Sequence, residues 1–95
     1  MYEDINLDLL DMLKIDLGII TGEFDDRLTG YIAYAKDQIE KEGADVCMNT
    51  IGDMQLIVMY AAWLWRKRDT GEGMPRMLRY ALNNKVLGGK MGNDG

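Results

Sequence analysis

The stretch Met54-Gln55-Leu56-Ile57-Val58-Met59-Tyr60-Ala61-Ala62-Trp63-Leu64-Trp65 contains one polar side chain and ends abruptly at the basic run Arg66-Lys67-Arg68. Wound as a helix, it presents almost no polar face to water. It is shorter than the roughly 20 apolar residues that cross a bilayer. Such a helix must be covered on every side by protein. Because a chain of 95 residues has few other elements to supply that cover, we expect another copy of the chain to provide part of it.

Length and composition indicate one small globular domain. The chain is 47% hydrophobic and 28% charged, which is typical of a folded protein. A chain of this size buries only about 60 to 70% of its unfolded surface, so subunit contacts would stabilise it. The net charge of −5 argues against a general nucleic-acid binder, whose surface is basic.

Charge is divided unevenly along the chain. Residues 1–52 carry 12 acidic and 4 basic side chains, a net charge of −8, whereas residues 53–95 carry 4 acidic and 7 basic ones, a net charge of +3. Two halves of opposite net charge favour a protein whose copies associate head to tail. The alternative, which charge alone favours, is two solvated faces of a monomer.

The single cysteine and the amino terminus bear on the compartment. Cys47 is the only cysteine, so no disulfide can form within the chain, and a reducing cytoplasm is expected. The acidic start lacks the basic and apolar regions of a secretory signal. We expect no membrane segment.

Apolar spacing predicts two helices in the first half. The first runs from a cap at Asn6 to about Leu17 and stops at Gly18; the second runs from a cap at Asp25 or Asp26 to about Glu42 and stops at Gly43. Gly30, inside the second helix, suggests close packing. The predicted buried stripes are Leu7, Leu10, Leu13 and Leu17 in the first helix, and Leu28, Ile32, Ala35 and Ile39 in the second.

Two more helices are predicted in the second half. Asp53 caps the apolar helix, which runs to about Arg68 and is followed by a flexible loop over residues 69–73. Pro75 fits the first turn of a fourth helix that ends near Leu87. Its predicted apolar side consists of Met77, Leu78, Ala81, Leu82 and Val86. The prediction is an all-α bundle of about four helices with a central apolar helix: residues 1–87 form one domain and residues 88–95 a disordered, flexible tail.

The residues for common catalytic chemistry are missing. The chain has no histidine and no serine, so a Ser-His-Asp or Cys-His arrangement cannot be built. With one cysteine and no histidine, a zinc site is excluded in practice. Helix capping explains the adjacent carboxylates Asp25 and Asp26, and a solvated helix end explains Glu40 and Glu42. No glycine follows a strand in a phosphate-binding pattern. We therefore expect no enzyme, no catalytic or metal-binding residue, and no cofactor.

Aromatic and basic side chains are the candidate interaction residues. Trp63 and Trp65 point about 200° apart on a helix, so at least one is a candidate for a subunit interface. The equally favoured alternative is that both pack inside a bundle around a central third helix. Residues 66–68 suit a helix carboxyl end, and are candidates to face a DNA channel or a partner. Arg76 and Arg79 lie where the dipole disfavours cations, so we expect them to meet a carboxylate of another subunit or a passing phosphate.

The order of these features resembles the bacteriophage head–tail connector family, the small all-helical head-completion proteins of long-tailed phages and prophages. The densest resemblance is Met59-Tyr60-Ala61-Ala62-Trp63-Leu64-Trp65-Arg66-Lys67-Arg68. Weaker elements of the same pattern are residues 13–19, 25–28, 31–36 with Ile39, 74–78 and 82–84. Together they span about residues 7–87.

This resemblance implies a homo-oligomeric ring in the virion neck, assembled in the host cytoplasm. Members stack head to tail beneath the portal protein, extend the DNA channel and present a surface to the next head-completion or tail component. They contact packaged DNA only transiently and have no catalytic residues. Two other functions stay open: a small DNA-packaging or DNA-binding regulatory protein that uses the basic half, and an acidic inhibitor or adaptor that binds a basic partner through residues 1–52.

Overall fold

A computed structural model describes residues 3–46 and 50–94. The helices are α1 (Glu3–Leu17), α2 (Asp25–Lys41), α3 (Ile51–Thr70) and α4 (Arg76–Asp94). No strand occurs within these described ranges. The predicted all-α bundle of four helices is therefore confirmed. Cys47 lies outside the described residues.

The apolar helix α3 is the centre of the bundle, since α1, α2 and α4 all pack against it. From Asp53 to Leu64, only Gln55 and Met59 are exposed. The chain thus supplies most of the cover itself. That another copy of the chain covers part of the remainder stays a prediction. A narrow strip through Ile51, Gln55 and Met59 stays open to solvent.

The buried faces of the other helices largely match their predicted stripes. All four predicted residues of α2 are buried. In α1, Leu13 is buried and Leu10 and Leu17 are half-buried, whereas Leu9, which the stripe omitted, is also buried. The side chain of Leu7 lies outside the described part of the structure.

The inner face of α4 is narrower than predicted. Leu78 and Leu82 are buried, and Ala81 and Val86 are half-buried against the core. Met77 is 72% exposed, so its assignment to the packed side is wrong. Because α4 packs mainly on α3 alone, only one side of it is covered.

The predicted amino-terminal caps are wrong. Asn6 lies inside α1, Phe24 occupies the cap position of α2, and Thr50 occupies that of α3. Asp25, Asp26 and Asp53 instead lie in first helical turns, where the helix dipole also favours carboxylates. The Asp25 carboxylate lies 2.8 Å from Lys14 Nζ and so joins α2 to α1.

The helix ends at Gly18 and Gly43 were predicted correctly, and both glycines have positive φ. Helix α3 continues past Arg68 to Thr70, where Gly71 (φ 68°) donates its N–H to the Lys67 carbonyl at 2.7 Å. The connection to α4 is therefore residues 71–75. Trp63 Nε1 donates to the Glu72 carbonyl at 3.2 Å and fastens this connection to α3.

Helix α4 begins just after Pro75, whose carbonyl accepts the Arg79 N–H at 3.0 Å. It continues through Gly88 to Asp94, so the predicted end near Leu87 is wrong. Gly88, Gly89 and Gly92 each cost a helix roughly 1 kcal/mol relative to alanine. Flexibility of residues 88–94 stays a prediction, and Gly95 lies outside the described residues.

Ion pairs attach α4 at two points. Lys85 Nζ lies 2.8 Å from Oδ1 of Asp53, whose side chain is only 9% exposed. Arg79 Nη1 lies 2.9 Å from Oε1 of Glu42, at the end of α2. Breaking a pair that includes a buried carboxylate is costly, because it leaves a charge without compensation.

We predict that Ile57→Ala destabilises the fold by about 2 to 5 kcal/mol, because Ile57 is fully buried at the centre of α3. Ile51→Ala, at a position 71% exposed on the same helix, should cost less than about 0.5 kcal/mol. Urea unfolding of both variants measures the difference. Equal losses at the two positions would contradict the central placement of α3.

We predict that Gly30→Ala stabilises the protein by about 0.5 to 1 kcal/mol. The expected close packing at Gly30 is wrong: a Cβ there meets nothing within 4 Å, and the residue is exposed. Gly71→Ala is the contrasting variant, since its positive φ (68°) should make alanine destabilising by about 1 kcal/mol. Thermal unfolding measures both, and a less stable Gly30→Ala protein would refute the assignment.

Candidate assembly interface

The last turns of α3 carry three cations, and each has a partner within the chain. Lys67 Nζ lies 4.5 Å from the centre of the Trp63 ring, and Arg68 Cζ lies 3.9 Å from that of Trp65. Arg68 Nη1 also donates to both carboxylate oxygens of Asp69, at 3.0 and 3.1 Å. Arg66 is more loosely held, with Nη1 3.8 Å from Asp16 Oδ2. These contacts within the chain explain the positions of the three cations, so neither a DNA channel nor another protein is needed to explain them.

Arg79 binds a carboxylate of its own chain. Its Nη1 and Nη2 donate to the two carboxylate oxygens of Glu42 at 2.9 and 3.4 Å, and Nη1 also donates to Asn83 Oδ1 at 3.3 Å. The hydrogen bond that Arg79 donates to Glu42 raises the pKa of the Arg79 guanidinium. The expected carboxylate partner therefore exists, but inside the subunit.

Arg76 differs from the other four cations of the candidate set. It is exposed, and it has no hydrogen-bond or ion-pair partner among the residues that the structure describes. Of the five cations, Arg76 is the one available for a contact outside the subunit.

Both tryptophans pack within the subunit. The Trp63 ring is 9% exposed and lies edge-on to Tyr60, with 5.4 Å between ring centres. Trp65 is half-buried, with ring centres 5.3 Å from Phe24 and 5.9 Å from Tyr31. Of the two placements that the sequence left open, the structure shows the one in which both rings pack inside the bundle, because opposite sides of a central helix both face protein. Their role at an interface stays a prediction.

Helix α4 carries a row of exposed apolar side chains that the sequence analysis did not predict. Met77, Tyr80 and Leu87 are 72%, 57% and 56% exposed, and their spacing of three and seven residues places them on one helix face. Exposed Asn84 lies between them, and Arg76 borders them at one end. We call Met77, Tyr80 and Leu87 the outer stripe. It lies away from the buried residues that hold α4 to α3.

A second exposed apolar surface lies between α1 and α3. It is an open groove of about 250 Å³ lined by Met12, Ile15, Asp16, Gln55, Val58 and Met59. We call these six residues the α1–α3 groove. Ile15 is 80% and Met59 37% exposed, and the carboxylate of Asp16 supplies a negative charge at its edge.

The two surfaces lie on helices of opposite charge. Helix α1 carries five acidic residues and one basic residue, a net charge of −4. Helix α4 carries four basic residues and one acidic residue, a net charge of +3. The difference in net charge between the two halves of the sequence is therefore also found between these two helices.

Tyr60 lies beside the Arg79–Glu42 pair and is 6% exposed. Burial raises the pKa of its phenol above the ordinary 10.0; Glu42 and Tyr34 raise it further and Arg79 lowers it. The neutral phenol is therefore the form that the folded protein favours.

Metal-site geometry, helix length and comparison with known proteins add no functional assignment for this chain. Within the described parts of the chain, no three His, Cys, Asp or Glu residues are grouped so that they could hold a metal ion. No described helix is long and apolar enough to cross a membrane. No protein-family model, curated protein or solved structure matches the chain.

We predict that the free energy of unfolding falls as the pH rises above about 10, in part through Tyr60. The unfolded chain releases the phenolic proton at the ordinary pKa while the folded chain retains it, so stability is lost in that range. Tyr60→Phe should remove this part of the slope, whereas Tyr80→Phe, at a position 57% exposed, should not. Urea unfolding across a pH series measures it. Parallel profiles for the wild type and Tyr60→Phe would contradict the burial effect.

Proposed function

We propose that the protein is a structural virion component that associates head to tail into a ring beneath the capsid portal. There it extends the DNA channel and joins the head to the next neck or tail component. The observation that carries this proposal is that a small subunit exposes two different apolar surfaces, the outer stripe and the α1–α3 groove, on helices of opposite charge.

Two unlike surfaces favour a head-to-tail contact over a symmetric pair. Single exposed apolar residues are common on soluble proteins, but apolar side chains aligned on one helix are typical of contact surfaces. A contact between two different patches leaves one of each free on every dimer, so association continues until the ring closes. The resemblance to head–tail connectors supports the same arrangement.

The proposed role needs no catalysis and only weak contact with DNA. The absence of histidine and serine from the sequence agrees with a non-enzymatic subunit. DNA must slide through a neck channel, and many phosphate contacts would hold it in place. Four of the five candidate cations have partners within the subunit. We therefore assign to the five cations only weak and transient contact with DNA.

The alternative DNA-binding or packaging function uses the same cations. A regulator requires several free Lys and Arg side chains on one surface. Of the five candidate cations, only Arg76 is exposed and lacks a partner among the residues that the structure describes. We propose the ring in preference for this reason. The inhibitor or adaptor function would instead give a monomer that binds a basic protein one to one.

We predict that the concentrated protein forms closed rings and that their association weakens as salt rises. Charges at the edge of an interface are screened over about 8 Å at physiological ionic strength. Electron microscopy shows the rings, and sedimentation at low and high salt measures association. Arg76→Glu should weaken association without unfolding the subunit; Arg27→Glu, at an exposed position on α2, is the matched control.

Three outcomes would contradict this proposal or change it. A monomer at every concentration and salt would refute ring formation. Association unaffected by salt and by Arg76→Glu would assign the contact to apolar surface alone. Salt-dependent, sequence-specific binding of duplex DNA by the monomer would establish the regulatory alternative.

A further inference from the structure

We propose that the outer stripe of α4 docks into the α1–α3 groove of a second copy of this chain. The inference rests on the proposed head-to-tail association and specifies which two surfaces meet in it. It assigns one residue set to each side of the contact.

The outer stripe has the form of a helix that binds in a groove. Such helices present anchors spaced three, four and seven residues apart on one face. Met77 and Tyr80 are three apart, and Leu87 lies seven beyond Tyr80. Leu78 and Leu82 already hold the other side of α4 to the core, so the subunit cannot cover the stripe with the same contact.

The α1–α3 groove offers a matching surface. Ile15 and Met59 are exposed at its walls, while Val58 is buried at its base. Only Asp16 and Gln55 among its lining residues are polar. Gln55 and Met59, two of the three residues in the exposed strip of α3, line the groove, so an inserted helix would extend the cover of the apolar central helix.

Charge selects this pairing over the two symmetric ones. Two stripes placed face to face bring together two α4 helices of net charge +3, and two grooves bring together two α1 helices of net charge −4. Stripe against groove brings opposite charges together. Arg76, which has no described partner, then has the Asp16 carboxylate available, since Arg66 holds it at only 3.8 Å.

A mixing experiment tests the pairing. Tyr80→Glu disables the stripe but keeps the groove, and Ile15→Glu disables the groove but keeps the stripe. Each variant alone should self-associate at least about tenfold more weakly than the wild type, because aromatic and aliphatic anchors carry most of a contact's energy. Mixed together, they should form a one-to-one dimer that grows no further. Both changes add negative charge, so the two altered surfaces cannot pair with each other.

Matched controls separate the docking surfaces from general effects of a new charge. Ile20→Glu changes an isoleucine that is 94% exposed outside the groove, and Tyr34→Glu changes a tyrosine on α2 that is 53% exposed. Both should associate as the wild type does. Circular dichroism verifies folding, and Met77→Glu, at a position 72% exposed, is a second stripe variant if Tyr80→Glu is unstable.

The outcomes distinguish this pairing from the proposed function. If the wild type forms rings and either variant associates normally, the stripe–groove pairing is refuted and the ring stands. If both variants are monomeric and remain so when mixed, the two surfaces do not meet each other and the pairing is again refuted. A wild type that never self-associates would refute the proposed function and this inference with it.

Discussion

The burial of α3 is the constraint on which the other features of the subunit depend. An apolar helix without a polar face can be stable in water only if other helices surround it. Here α1, α2 and α4 do so, each using one stripe of its surface. The cover is incomplete along Ile51, Gln55 and Met59, because three short helices cannot close a complete shell. Gln55 and Met59 from that gap line the α1–α3 groove, so part of the candidate interface originates in the packing of the core.

Helical periodicity predicted the inner face of α2 well. The four spaced residues of α2 are all buried, because α2 packs against both α1 and α3. Periodicity failed at Met77, since α4 has apolar residues on two faces and spacing alone does not reveal which of them packs. The cap predictions failed for a different reason: an aspartate in the first turn and one at the cap position produce almost the same sequence pattern.

The candidate site was less predictable because its partners are distant in the chain. Glu42 and Arg79 are 37 positions apart, so no local pattern indicates their contact. Helix geometry left two placements open for the tryptophans, because it does not reveal whether one side of the helix faces solvent or both sides face protein. The outer stripe was not predicted, because Met77 was assigned to the packed side with Leu78 and Leu82, whereas its exposure depends on which face of α4 meets α3.

The two ion pairs that attach α4 bear on the size of any ring this chain builds. In the proposed head-to-tail assembly, the orientation of α4 relative to α1 within one subunit is one of the determinants of the rotation from one neighbour to the next. A circle closes only when that rotation divides it into a whole number of parts; otherwise an open spiral results. Lys85–Asp53 and Arg79–Glu42 oppose rotation of α4 about α3. Contacts that lie entirely inside one subunit would then help to set the curvature of the whole assembly.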